Sequence, residues 1–97
     1  MDEGSMPFEW DPEKSERNVR ERKLSFLVAA EVFDDPQAYE RDDKRFEYGE
    51  VRTRIVGKSR SGELLTVIYT IRPAGIRIIS ARRANKREYR EYSEGHS

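Results

Sequence analysis

The stretch Ile76-Arg77-Ile78-Ile79-Ser80-Ala81-Arg82-Arg83-Ala84 decides how the rest of the chain is read. Ile76, Ile78 and Ile79 are β-branched and closely spaced, the composition of a strand buried on at least one face. Arg82 and Arg83 follow where the apolar run ends, so the strand delivers two guanidinium groups to the mouth of a sheet. A guanidinium is a planar fork of donors that suits phosphate. A lone Arg-Arg pair is more often surface charge matched by carboxylates, so the surrounding sequence has to decide between the two.

Moving outward, Leu64 to Arg72 is the most apolar strand, and Pro73-Ala74-Gly75 turns it into the opening stretch. Alternation puts Leu65, Val67, Tyr69 and Ile71 on one face and Leu64, Thr66, Ile68, Thr70 and Arg72 on the other. Arg60-Ser61-Gly62 is a turn, and before it Tyr48 to Gly57 alternates again, with Val51, Thr53 and Ile55 opposed to Arg52, Arg54 and Val56. Three strands joined by short turns imply an antiparallel meander. Convergence of their polar ends would bring Arg52, Arg72, Arg77, Arg82 and Arg83 to one concave basic surface, which binds phosphates whether or not it cleaves them. Downstream, Asn85 caps a short helix from Lys86 to Tyr92, with Glu88 as the reciprocal member of a capping box.

The first half supplies helices. Pro7-Phe8-Glu9-Trp10 reads as a short strand with Trp10 as a core anchor. Asp11-Pro12-Glu13 opens a mostly polar helix that runs to about Arg22. Ser25 opens a second, on which Phe26, Ala29, Ala30 and Phe33 recur at three- and four-residue spacing, and Asp34-Asp35-Pro36 ends it. Residues 37–48 read as a polar connection, with Ala38-Tyr39-Glu40 as a short edge strand. The fold class expected is α+β: an antiparallel meander with the two N-terminal helices on one face and a short C-terminal helix. Residues 1–5 are expected to form a disordered leader, 6–93 a single domain and 94–97 a frayed tail.

Composition narrows the functions. The 97 residues suffice for one modest core, and 39% charged residues make the surface densely ionic. With no cysteine there is no disulfide, thiolate nucleophile or thiolate metal site. No apolar run reaches membrane-spanning length, and the acidic start is unlike a secretory signal, so the cytoplasm is the expected compartment. The formal charge of zero hides an asymmetry: residues 1–50 carry 15 acidic and 8 basic side chains, and residues 51–97 carry 4 and 11, so the halves stand at −7 and +7. A basic second half points to nucleic acid or an acidic partner.

RNA cleavage through the ribose 2′-hydroxyl needs no metal, but it needs a base, an acid and cations for the developing charge. Cations are abundant. Bases are scarce: the sole histidine, His96, falls in the expected tail, and arginine stays protonated. Glu50, Glu88, Tyr69 and Tyr92 remain, each with a plain structural reading. No Asp/Glu/His cluster with metal-ligand spacing and no Gly-rich phosphate loop occurs.

Phe8-Glu9-Trp10-Asp11, Lys14, Asn18, Ser25-Phe26, Val32-Phe33 with Asp35-Pro36, Tyr48-Gly49-Glu50 with Arg52, Gly57, Leu64-Leu65 with Tyr69-Thr70 and Arg72, and Ile76 to Ala84 followed by Glu88 and Tyr92 together resemble the BrnT family. These are small bacterial toxins of type II toxin-antitoxin modules, similar in fold to RelE ribonucleases. The resemblance implies cofactor-free, metal-independent RNA cleavage that blocks translation and arrests growth. It implies a DNA-binding, ribbon-helix-helix antitoxin of the BrnA type as partner, with operator DNA reached only through the complex. The catalytic positions it implies are Arg52, Arg72, Arg82, Arg83 and Glu88, with Arg22, Arg54, Arg77, Tyr69 and Tyr92 in substrate binding. Where the family commonly has Lys-His-Gly, this chain has Glu21-Arg22-Lys23. Either the histidine is dispensable and Arg22 contacts phosphate, or this copy is catalytically weakened and acts as a binding module through its antitoxin complex.

Overall fold

A computed structural model of the chain describes residues 7–47 and 50–95, with the backbone alone for 44–47. The expected leader, the Tyr48-Gly49 pair and His96 lie outside the described residues. In chain order the elements are strand β1 (Phe8–Glu9), helix α1 (Pro12–Arg22), helix α2 (Phe26–Ala29) continuing into a 3₁₀ turn (Ala30–Asp34), strands β2 (Tyr39–Glu47), β3 (Glu50–Lys58), β4 (Leu64–Arg72) and β5 (Gly75–Arg83), and helix α3 (Lys86–Ser93). The sheet order is β1-β5-β4-β3-β2. β2 to β5 form an antiparallel meander, and β1 adds parallel to β5, so the sheet is mixed.

Two features depart from the sequence reading. The polar connection before β3 is a nine-residue strand, β2. It lies at the sheet edge, where charged side chains are tolerated because one side of the ladder faces water. The second helix is shorter than its apolar run, four α-helical residues before the 3₁₀ turn.

The helix starts follow local chemistry. The Asp11 side chain accepts from the Glu13 amide with Pro12 in the first turn, and Ser25 Oγ accepts from the Val28 amide. Between these helices Lys23 is the one non-glycine residue of positive φ among the described residues, at 57°. The corner is locked by buried Asn18, whose amide donates to the Leu24 carbonyl at 2.8 Å, and by Ser15 Oγ, which accepts from the Phe26 amide at 3.0 Å.

One face of the sheet carries the main core. Leu65, Val67 and Tyr69 of β4, Ile55 of β3 and Ile76, Ile78 and Ala81 of β5 pack with Leu24, Phe26, Ala29 and Val32. Trp10 meets Phe26 edge-on at 6.4 Å, as a core anchor should. Gly57 lets the α2 to β2 connection pass close to β3, because a Cβ there would meet Ala38 Cβ at 2.9 Å. The opposite face is covered at one end by α3, where Tyr39, Val56 and Leu64 form a smaller cluster against Ala84 and Tyr92. The other end of that face is left open, and the site lies there.

Candidate functional site

Glu88 organises the site. As the third residue of α3 it completes the capping box: Asn85 Oδ1 accepts from the Glu88 amide, and Glu88 Oε1 accepts from the Asn85 amide, both at 2.9 Å. The same carboxylate reaches under the sheet, only 1% exposed. There Thr66 Oγ1 donates to it at 2.8 Å, Arg82 grips both oxygens at 2.9 and 3.0 Å, and Arg54 donates at 2.9 Å. Thr66, Arg54 and Arg82 come from three neighbouring strands, and cross-strand register brings them together: Thr66 is opposite Arg82 and Arg54 is opposite Ile68.

Burial pushes the Glu88 carboxyl up, but the hydrogen bonds from Arg82, the Asn85 amide and Thr66 outweigh it and hold the group down at about 2. A carboxylate so fully engaged is a poor proton acceptor near neutrality. Glu88 is set up to orient two guanidinium groups, and the reading of it as an acid or base gives way to that role. Arg54 and Arg82 stay about one-third exposed. Arg54 commits one nitrogen to Glu88 and Arg82 two, and both side chains line a cleft.

That cleft, about 380 Å³, is lined by Arg22, Arg54, Arg82, Asp42, Asp43, Ile68 and Ser80. A second cleft of about 320 Å³ lies along α1 and includes Arg22, Arg52, Ile68 and Ser80 as well. Arg22 stands between them because its guanidinium donates to the Ala81 carbonyl at 3.0 Å, on the β5 edge that β1 does not cover. Arg52 is held by Glu50 at 3.5 Å. The structure therefore gathers Arg22, Arg52, Arg54, Arg82 and Glu88 out of the ten candidate positions.

The other five lie elsewhere, each for a stated reason. β5 runs through Arg83, so Arg82 and Arg83 point to opposite faces. Arg83 instead holds Glu63 at 2.5 Å and donates to the Arg22 and Lys23 carbonyls, fastening the end of α1. Arg72 pairs with Glu50 at 3.0 Å and Arg77 with Glu9 at 2.7 Å, outside both clefts. Tyr69 is in the core, edge-on to Phe33 and donating to Glu40. Tyr92 donates to Asp35 at 2.7 Å and is pushed up to about 12 by burial and by that carboxylate. It clamps α3 to the chain before β2.

Thr66, Asp42 and Asp43 were missed by sequence reasoning. Thr66 could have been found, since alternation puts it on the face of Ile68 and Thr70. The aspartates could not, because nothing local marked their segment as a strand. Among the described residues no group of three or more His, Cys, Asp or Glu side chains could hold a metal ion, and no helix is long and apolar enough to cross a membrane.

Fold and site together define a small α+β protein with an arginine-lined cleft on the open end of its sheet. The profile of a family described as "Ribonuclease toxin, BrnT, of type II toxin-antitoxin system" matches residues 10–88, and the chain belongs to that family. The fold is also that of the crystal structure of the Brucella abortus ribonuclease toxin, BrnT, with a TM-score of 0.64 and 20% identity over 84% of this chain and 100% of that one. No curated protein sequence matches the chain.

Proposed function

We propose that this chain is the toxin of a type II module, an endoribonuclease of the RelE-like kind that cuts RNA without a metal ion. The observation that carries the reading is the pair of guanidinium groups, Arg54 and Arg82, fixed by one buried carboxylate at the floor of an open cleft. Pre-oriented cations are what a phosphodiester needs when charge builds on its non-bridging oxygens. The ribose 2′-hydroxyl attacks the adjacent phosphorus, the bond to the next nucleotide's 5′-oxygen breaks as that oxygen takes a proton from solvent, and a cyclic phosphate remains. Arg54 and Arg82 hold the phosphate, and Arg22 adds a third cation where the family commonly has histidine. Asp42 and Asp43 are the carboxylates lining the same cleft, and they are the candidates for taking the hydroxyl proton. Arg72, Arg77, Arg83, Tyr69 and Tyr92 keep structural parts only.

In the cell, by this reading, cleavage in the cytoplasm blocks translation and arrests growth. A BrnA-type ribbon-helix-helix antitoxin neutralises the toxin, and the complex reaches operator DNA through the antitoxin. The test is incubation of the purified chain with RNA in EDTA: fragments with cyclic phosphate ends are expected, and intact RNA after prolonged exposure to excess protein overturns the proposal. A second reading, a non-catalytic module that acts through its antitoxin complex, is favoured by Arg22 standing in place of a histidine and by the saturated Glu88. RNA binding without cleavage, together with normal growth on full expression, selects it.

A further inference from the structure

We infer that the cleft along α1 is a second nucleotide subsite, taking the phosphate and base that adjoin the scissile phosphate in a single-stranded RNA. The ligand class rests on the nuclease reading; the cleft's own features do not. The two clefts share Arg22, Ile68 and Ser80 in their lining, so they adjoin one another. The second cleft's α1 wall carries Lys14 and Arg17, three residues apart and thus on one helix face, with Glu21 one turn beyond Arg17. Among the described residues neither cation is engaged in an ion pair, whereas Glu88 already holds Arg54 and Arg82 of the first cleft. Cations without a protein counterion are those whose mobile counterions a polyanion releases.

The floor is of another kind. β5 has a bulge between its pairs Ile68 to Ser80 and Tyr69 to Ile78, and Ile79 is the extra residue. The bulge brings Ile79 to the second cleft beside Ile68. Cations on a wall above an apolar floor suit a nucleotide whose phosphate and unstacked base contact different surfaces, the usual state of a single strand. In a duplex the base would not be exposed to that floor.

The test uses a short single-stranded 2′-O-methyl RNA, which binds but cannot be cut, with anisotropy measured across a salt series. Lys14→Ala with Arg17→Ala is expected to weaken binding and to flatten the slope of log affinity against log salt by about 1.4, at about 0.7 per lost phosphate contact. Arg20→Ala with Arg90→Ala removes the same charge at exposed positions outside both clefts and is expected to leave the slope unchanged. All four are exposed helix positions where alanine is well tolerated, and circular dichroism verifies folding. An unchanged slope in the first double variant overturns the subsite, as does equal flattening in both. If the slope flattens as expected while native RNA is never cut, the subsite stands and the nuclease reading fails; RNA cut with the slope unmoved gives the reverse.

Discussion

Arg82 and Arg83 are chemically alike, yet the strand separates them. Arg82 is locked to Glu88 in the cleft, and Arg83 fastens the end of α1 from the other face. Arg82→Lys keeps a charge but loses the two-pronged grip, and it is expected to lower RNA cleavage about 100-fold, the scale of one lost oriented donor. Arg83→Ala is expected to leave cleavage within a few-fold and to cost about 1 kcal/mol in urea unfolding, because its partners are partly exposed. Equal losses of cleavage would place both arginines in the chemistry. Glu88 carries the pH dependence. Its folded value of about 2 lies below the ordinary 4.5, so its stabilisation is fully present above pH 4.5 and is lost as pH falls towards 2. The difference is worth about 3 kcal/mol. Glu88→Gln is therefore expected to be about 3 kcal/mol less stable at pH 7, with the gap to the parent protein closing at low pH. Denaturant titrations at neutral and acid pH check both halves.

At the scale of elements, what was legible was whatever is decided locally. Asp11-Pro12, Ser25 and the Asn85/Glu88 box each announced a helix start, and the apolar density of β4 and β5 announced the centre of the sheet. Only the start of β2 was legible, at Tyr39-Glu40; the rest was hidden because an edge strand requires few apolar residues, and Arg41, Asp42 and Asp43 read as a solvated loop until β3 is laid beside them. The β5 bulge and the parallel β1 pairing were hidden because both depend on distant partners. Of the candidate positions, those that the clefts bring together belong to well-marked strands or to the capping box, with Arg22 carried by the resemblance alone. Those placed elsewhere are held by partners distant in sequence, Arg72 by Glu50, Arg77 by Glu9 and Arg83 by Glu63. β1 offers a test of the distant pairing. Gly75 has φ of 144°, and a Cβ there would run into the Pro7 carbonyl, the acceptor of the Ile76 amide. Gly75→Ala is expected to cost about 2 kcal/mol, combining backbone strain and a loosened edge. Trp10 follows β1 directly, so its fluorescence should shift to the red in the native state.

For the whole molecule, the charge asymmetry along the sequence largely cancels in space. Glu9 meets Arg77, Glu50 meets Arg72, and Asp34 meets Arg60, each pair joining the acidic half to the basic one. The open end of the second sheet face is different: Arg54 and Arg82 are held there by one buried carboxylate, with Arg22 and Arg52 beside them and Asp42 and Asp43 at the cleft. A protein of zero formal charge thus sets oriented guanidinium groups in a cleft, and their placement rather than the net charge decides what binds. If that site cuts RNA, its effect in a cell is set by whether a partner covers it. Induced expression of the chain alone in a bacterial host is expected to stop growth, and co-expression of the antitoxin from its own module is expected to restore it. Arg82→Lys, expressed to the same level and folded by circular dichroism, should let the culture grow, because a misplaced donor affects the transition state more than the fold. Arrest by this variant at the parental rate would separate toxicity from the Arg82 site, and unhindered growth with the parent chain would favour the binding module.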